Sequence, residues 1–290
     1  MPPDHRPPES GPDVEWPPEP FDVSDWPMPA GTAPDGRPLG RGPIRYARPV
    51  GWVAARSSAV ELPEISRRRV LLDILLMAVA YLAGLAALFP VMLLWRPADD
   101  RWLTVVQTLS SGATVLIVCL TLMRLERQGL GGLLRASRHF WLDVVIGVGG
   151  YFAVLLVMTL FLIALVLLAP AFLESKMESA ETIKSVFPDM TLPVAVLFMG
   201  FVALWEEVAF RGFLLTRLQV ALKRWWLSVP AGALLFGLGH VWQGPVAAVQ
   251  TVLLGLVLGL LFLWRRNLVP CVVLHAINNT LALLLLRYVG

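Results

Sequence analysis

Residues 192–212 have the sequence LPVAVLFMGFVALWEEVAFRG, and this stretch decides the fold. From Leu192 to Trp205 it is continuously apolar rather than alternating, which is typical of a membrane-spanning helix and not of a barrel strand. Glu206, Glu207 and Arg211 then interrupt the apolar run. Ionisable groups at membrane depth are costly and by default mark a functional site. The same stretch therefore predicts both a membrane helix and the place where the chain does its work.

The rest of the chain is similarly apolar. Hydrophobic residues make up 57% of the 290 residues, and the mean hydropathy is +0.68, which indicates an integral membrane protein. Most of its apolar segments reach the ~20 residues that a helix needs to cross ~30 Å of hydrocarbon. We predict spans at residues 70–95, 102–123, 142–172, 192–210, 226–242, 246–264 and 268–286. The expected fold is an all-α polytopic bundle of about seven transmembrane helices.

The N-terminal region has a different composition. Residues 1–62 are rich in proline and poor in aliphatic side chains, so we expect a disordered cytoplasmic tail followed by a transmembrane domain at 63–290. The tail is a candidate binding segment for a cytoplasmic partner. A net charge of +3 without a basic stripe interleaved with aromatics argues against nucleic acid. Cys119 and Cys271 fall in apolar spans and are interpreted as packing residues.

The loop charges predict an orientation. Basic residues cluster in the segments that lie on the N-terminal side of the membrane, whereas the opposite loops are mixed or acidic. These basic clusters are Arg67–Arg69, Arg124–Arg138, Arg217–Arg224 and Arg265–Arg266. The positive-inside rule then predicts a multi-pass protein of the plasma membrane with a cytoplasmic N-terminus. Tryptophans at the predicted span ends fit an interfacial belt: Trp95, Trp102, Trp141, Trp225, Trp226, Trp242 and Trp264.

The first chemical motif is Glu206-Glu207-Val-Ala-Phe-Arg211. Glu207 and Arg211 are four residues apart, so on a helix they share one face and can form an ion pair. Glu206 is rotated by about 100° from its neighbour and faces elsewhere. This geometry leaves Glu206 available as a general base. The alternative is a buried ion-pair network that only stabilises helix packing.

The second motif is Phe236-Gly-Leu-Gly-His240. A lone histidine on an apolar helix is a satisfied core residue at least as often as a catalyst. Gly237 and Gly239 would let two helix backbones approach closely. Counted along the predicted spans, His240 lies deeper in the membrane than Glu206 and His275.

The third motif is His275-Ala-Ile-Asn278-Asn279. His275 and Asn279 share one helix face and offer an imidazole and a carboxamide, which together could hold an oxyanion or a water. The alternative is hydrogen bonding between helices, which is common in membrane bundles.

These three motifs, in this order, resemble the CPBP family of intramembrane proteases, also called the Abi or CAAX-protease family. It includes the CAAX prenyl endopeptidases and bacterial relatives linked to bacteriocin self-immunity. The family pattern is EExxxR, then FxxxH, then HxxxN or HxxxD. It is matched here by Glu206-Glu207-xxx-Arg211, Phe236-xxx-His240 and His275-xxx-Asn279. The resemblance covers about residues 192–286 and marks that part as the catalytic region.

The resemblance implies peptide-bond hydrolysis within the membrane. Glu206 would activate water with help from His240, while His275 and Asn279 would stabilise the oxyanion. Glu207 and Arg211, with Phe236, would support the site. The family is often labelled as metalloproteases, and a metal-free glutamate mechanism is also proposed for it. The cofactor is therefore either none or a divalent metal, a zinc ion held by Glu206, His240 and His275.

The implied substrate is a membrane-embedded or lipidated protein. The Arg- and Pro-rich composition is typical of a high-GC bacterium, where protein prenylation is not expected, so the resemblance concerns architecture more than substrate. Two other functions stay open. One is a non-catalytic membrane scaffold or immunity protein that presents the tail. The other is an ion-coupled transporter using the same buried groups, although the sequence has no convincing internal repeat.

Overall fold

The computed structural model describes residues 62–63, 65–90, 97, 99–126, 128 and 140–286. All of them lie in one compact unit, Pro43–Gly290. Apart from Leu62, the predicted N-terminal tail falls outside the described residues. The same is true of four residues used in the topology prediction: Trp95, Arg127, Arg135 and Arg138. Predictions about these parts of the chain stay predictions.

Most of the described residues are helical, and none of them forms a strand. The helices in chain order are α1 Arg67–Ala86, α2 Arg101–Leu125, α3 Phe140–Leu168, α4 Phe172–Val186, α5 Leu192–Glu207, α6 Leu215–Leu222, α7 Trp225–Leu238, α8 Pro245–Arg265 and α9 Val269–Leu285. A π-helix, Val208–Leu214, joins α5 to α6 without a break, and a short 3₁₀ turn, Val241–Gln243, follows α7.

Five helices are long and apolar enough to cross a membrane: α1, α2, α3, the continuous helix Leu192–Leu222 and α8. Two shorter apolar helices, α7 and α9, complete a set of seven among the described residues. The prediction of an all-α polytopic bundle is therefore confirmed. Since apolar side chains cover most of the surface of α3, this helix is suited to face lipid.

Local sequence explains where the helices begin and end. The side chain of Ser66 accepts a hydrogen bond from the backbone of Arg69 and caps α1. Proline occupies the first turn of α5, α8 and α9, where its missing N–H would have no helical partner. Lys223 and Arg266 adopt left-handed backbone angles, with φ of 57° and 52°, and end α6 and α8.

The helices pack in pairs. α1 lies against α2, α5 against α9 and α7 against α8, while α9 also contacts α3. Glycines bring α7 and α8 together. A Cβ at Gly237 would lie 2.3 Å from Val252 Cγ2, and one at Gly255 would lie 3.0 Å from the Cα of Ala233. Gly237 therefore has its predicted role. Gly239 does not have this role. It lies exposed in the turn after α7, and the atoms near a Cβ added there belong to the backbone of α7 itself.

Gly237→Ala is expected to destabilise the protein, because the added methyl would meet the Ala248 carbonyl oxygen at 3.0 Å as well as Val252. We expect a loss of about 1–3 kcal/mol, measured as a lower unfolding midpoint in detergent. Gly200→Ala is the matched control, since nothing lies within 4 Å of a Cβ added there. That control should be neutral or slightly stabilising, because alanine is the better helix former. Equal effects of the two changes would contradict the close packing of α7 on α8.

The loop predicted between the third and fourth spans contains a helix, α4. Its exposed face carries Glu174, Glu178 and Glu181, and its inner face packs on α8. Lys176 Nζ donates to Gln250 Oε1 at 2.7 Å, and burial lowers the pKa of the Lys176 ammonium. Hydropathy does not predict α4, because its charged residues give the segment the composition of a loop.

Two arginines of the predicted basic loop clusters form ion pairs with buried acids. Arg217 is fully buried on α6 and pairs with Asp73 of α1 at 3.1 Å. Arg265 pairs with the buried Asp143 of α3 at 2.5 Å. The orientation then depends on basic residues that are exposed at that end of the bundle: Arg67, Arg68, Arg124, Lys223 and Arg224. The acidic face of α4 lies across the bundle at the opposite ends of the helices. The asymmetry persists, and the orientation itself stays a prediction.

Candidate active site

The two glutamates end the last α-helical turn of α5. Glu206 is 6% exposed and Glu207 is fully buried. Immediately after them the chain widens into the π-helix Val208–Leu214, which carries Arg211. Wide turns of this kind are rare and frequently occur at functional sites. The first motif is therefore half α-helix and half π-helix, which the sequence does not reveal.

The predicted ion pair between Glu207 and Arg211 is present. Arg211 Nη1 donates to Glu207 Oε1 at 2.7 Å, and both side chains are buried. Arg211 Nη2 also donates to the carbonyl of Gly255 at 3.4 Å, and the guanidinium lies 4.6 Å from the ring centroid of Phe236. The pair thus fixes the end of α5 against both α7 and α8.

His275 lies between the two glutamates and is 1% exposed. Its Nδ1 is 2.7 Å from Glu207 Oε1, and its Nε2 is 3.5 Å from Glu206 Oε2. Glu207 Oε1 already accepts from Arg211, so the short contact with His275 is assigned as a hydrogen bond that Nδ1–H donates to Glu207. The sequence predicts that Glu206 faces elsewhere than Glu207, and in the structure both carboxylates approach the same imidazole from different sides. The cause is the packing of α5 on α9, which brings both carboxylates to one imidazole.

Each of the two site glutamates has one buried carboxylate oxygen without a hydrogen-bond partner among the described residues, Glu206 Oε2 and Glu207 Oε2. The 3.5 Å separation between Glu206 and His275 is too long for a strong hydrogen bond. An unsatisfied buried polar group is costly, and in a native structure such a group needs an explanation. A site that binds a reacting group at Glu206 provides one.

His240 lies just beyond α7, in the turn that leads to the 3₁₀ segment, and is half-buried. Its Nδ1 lies 2.8 Å from the carbonyl of Phe236 and donates to it, and this hydrogen bond does not use Nε2. The ring of Phe236 packs edge-on against both histidines, with centroids 4.8 Å from His240 and 5.7 Å from His275. Phe236 therefore joins the second and third motifs. Among the described residues, no hydrogen bond or ion pair links His240 to Glu206.

Asn279 lies one turn beyond His275 on the same face of α9 and is half-buried. Its Oδ1 accepts a hydrogen bond from Asn278 Nδ2 at 3.3 Å. This contact directs the acceptor of Asn279 to its neighbour and leaves its amide N–H groups as donors. Such donors suit the stabilisation of negative charge, and that role of Asn279 stays a prediction.

The predicted difference in depth between Glu206 and His240 is absent from the structure, and the length of the helix that carries Glu206 explains why. The helix that carries Glu206 does not end near residue 210 but continues to Leu222. At ~1.5 Å per residue, Glu206 lies about 24 Å from that end, and His240 lies about 22 Å from Trp225 where α7 begins. The two residues are therefore at a similar level. Hydropathy does not predict the full length of this helix, because Arg211 and Arg217 lower it. Both arginines are neutralised by ion pairs inside the protein.

The three residues considered as zinc ligands do not form a metal site. Among the described residues, no group of three or more His, Cys, Asp or Glu side chains is arranged to hold a metal ion. Both histidines use Nδ1 in a hydrogen bond, His275 to Glu207 and His240 to the Phe236 carbonyl, an arrangement that also orients metal-binding histidines through Nε2. Because Glu206, His240 and His275 are not grouped as a three-ligand site, no step below involves a metal.

Comparison with known proteins gives one match. Residues 188–281 match the family model described as Rce1-like, type II CAAX prenyl endopeptidase. No curated protein and no solved structure matches the chain. The matched segment is about a third of the chain and runs from just before α5 into α9. It includes every residue of the three motifs, while α1, α2 and α3 lie outside it.

Proposed function

We propose that this multi-pass membrane protein, whose residues 188–281 match the Rce1-like family model, is an intramembrane endopeptidase that cleaves a membrane-associated or lipidated protein with a glutamate-activated water. The observation that carries the proposal is the buried carboxylate of Glu206, whose Oε2 lies 3.5 Å from His275 Nε2 and has no hydrogen-bond partner among the described residues. A carboxylate kept available in this way suits a general base.

The proposed reaction begins with a water bound at Glu206. Glu206 takes a proton from the water as the water oxygen attacks the carbonyl carbon of the scissile peptide bond. The C–N bond then breaks, and the same proton passes from Glu206 to the leaving amine. Glu207 and Arg211 take no part in proton transfer; their 2.7 Å ion pair holds His275 in place.

The oxyanion is assigned to His275 and Asn279, and His240 is assigned to the water. In the tetrahedral intermediate the attacking oxygen and the oxyanion are bonded to the same carbon, so the groups that serve them must be neighbours. The contact of His275 with Glu206 supports this requirement. When protonated, His275 donates from Nδ1 to Glu207 and from Nε2 to the oxyanion. Asn279 adds an amide donor one turn away.

The test is a peptide panel offered to the purified protein in proteoliposomes. The panel contains a peptide ending in a farnesylated C-a-a-X sequence, its unprenylated form and an unprenylated transmembrane peptide. We expect hydrolysis of one of the two membrane-bound peptides and little hydrolysis of the soluble one. A chelator should leave the rate unchanged, because in the proposed mechanism Glu206 rather than a metal activates the water. Failure to cleave any member, or equal cleavage of the soluble peptide, would reject the proposal.

A further inference from the structure

The π-helix between Glu207 and α6 is braced by side chains. A π-helix bonds residues five apart, so the carbonyls at its end lose their usual α-helical partners and need others. Here Thr216 Oγ1 donates to the carbonyls of Gly212 at 3.0 Å and Phe213 at 2.7 Å. Gln128 Nε2 adds a hydrogen bond to Gly212 at 3.1 Å, and Arg217 Nη1 one to Phe213 at 3.3 Å.

Arg217 is the centre of this brace and is fully buried. Its Nε donates to Asp73 Oδ2 at 3.1 Å, its Nη1 to Gln128 Oε1 at 2.8 Å and its Nη2 to Glu126 Oε2. The guanidinium also stacks on the ring of Phe213, 3.5 Å from its centroid. A buried arginine that uses its planar fork in this way holds its partners in a fixed geometry.

The partners of Arg217 come from helices outside the family match. Asp73 is on α1, while Glu126 and Gln128 follow α2. Arg69 reinforces them from the edge, with Nε 2.9 Å from Asp73 Oδ1 and 3.3 Å from Glu126 Oε1. Burial raises the pKa of Glu126, and the neighbouring arginines oppose that shift. Arg69, Asp73, Glu126 and Arg217 thus form a charged cluster at the helix that carries the catalytic motif.

We propose that Asp73, Glu126, Gln128 and Arg217 form a positioning network that holds the π-helix in register, so that Arg211 and Glu207 place His275 for the reaction. The kinetic part of this inference rests on the proposed function, whereas the geometric part does not. A mere stabilising pair would need no contact with the carbonyls of the π-helix. This network bonds two of them directly, one and two residues after Arg211.

Two variants and a matched control test the network. Gln128→Met removes the hydrogen bonds to Gly212 and Arg217 without changing charge, and Asp73→Asn weakens the hold on Arg217. Gln250→Met is the control, because it is the same substitution and also removes the partner of a half-buried cation, Lys176, at a distance in sequence from the π-helix. Protein labelled with ¹⁵N-histidine gives signals from four residues, of which His275 is assigned by its loss in His275→Gln.

We expect the His275 ring signals to move in Gln128→Met and Asp73→Asn and to stay in place in Gln250→Met. With a peptide that the wild type cleaves, kcat should fall roughly 10- to 100-fold in both network variants at nearly constant KM, as for small misplacements of reacting groups. Unchanged His275 signals in Gln128→Met would overturn the network, including when Asp73→Asn does not fold. If the wild type cleaves no peptide, the proposed function fails, and the spectra still decide the inference.

Discussion

Glu206→Gln is expected to lower kcat for peptide hydrolysis roughly 10²- to 10⁴-fold, which is the range typical of losing a general base. Glutamine keeps the shape of the side chain but cannot take the proton from water. KM should change little, because the amide occupies the same space. The measurement is the initial rate of cleavage of a membrane-bound peptide by the purified variant in proteoliposomes.

The fold should tolerate this change. Glu206 forms no ion pair with an arginine among the described residues, and its Oε2 lies 3.5 Å from His275 Nε2. The unfolding midpoint of Glu206→Gln should therefore stay near that of the wild type. Glu178→Gln on the exposed face of α4 is the matched control and should retain full activity. A Glu206→Gln variant with the control's rate would remove Glu206 from the mechanism.

Glu207→Leu is expected to have the largest effect on stability. It leaves the guanidinium of Arg211, 3% exposed, without the carboxylate that it contacts at 2.7 Å. Removing one partner of a buried pair typically costs about 3–5 kcal/mol, because the other charge stays buried and uncompensated. The expected result is a strongly lowered unfolding midpoint in detergent and loss of activity, since Glu207 also bonds His275.

The double variant Glu207→Leu/Arg211→Met separates the cost of the orphaned charge from the value of the pair. Replacing both partners by apolar side chains of similar size is often close to neutral. The double variant should thus be more stable than Glu207→Leu alone, yet still inactive, because His275 has lost its acceptor. If the two variants are equally unstable, the ion pair is not what fixes α5 at this point.

Several features could be predicted from the sequence because they depend on local spacing. The seven apolar helices follow from the length of apolar runs. The pair of Glu207 with Arg211 follows from four-residue spacing, and it survives the change to π-helix because both groups lie on the same side of the chain. The approach of α7 to α8 at Gly237 follows from the absence of a side chain. The order of the three motifs predicted the family that the comparison found.

Features that depend on contacts between distant helices could not be predicted in this way. His275 lies between the glutamates only because α9 packs on α5. Arg217 was counted as a loop charge because its partner, Asp73, is 144 residues earlier in the chain. The available signal was Asp73 itself, together with Asp143: each is an isolated acid within an otherwise apolar helix, which indicates a buried partner.

The central claim is that a water activated at Glu206 hydrolyses a peptide bond within the membrane. The most direct measurement is mass spectrometry of the products after a membrane-bound peptide is incubated with the protein in H₂¹⁸O. We expect two fragments, with one ¹⁸O atom in the new C-terminal carboxylate, and no such fragments with Glu206→Gln. Intact peptide after incubation with the wild type, or the same labelled fragments from Glu206→Gln, would contradict the claim.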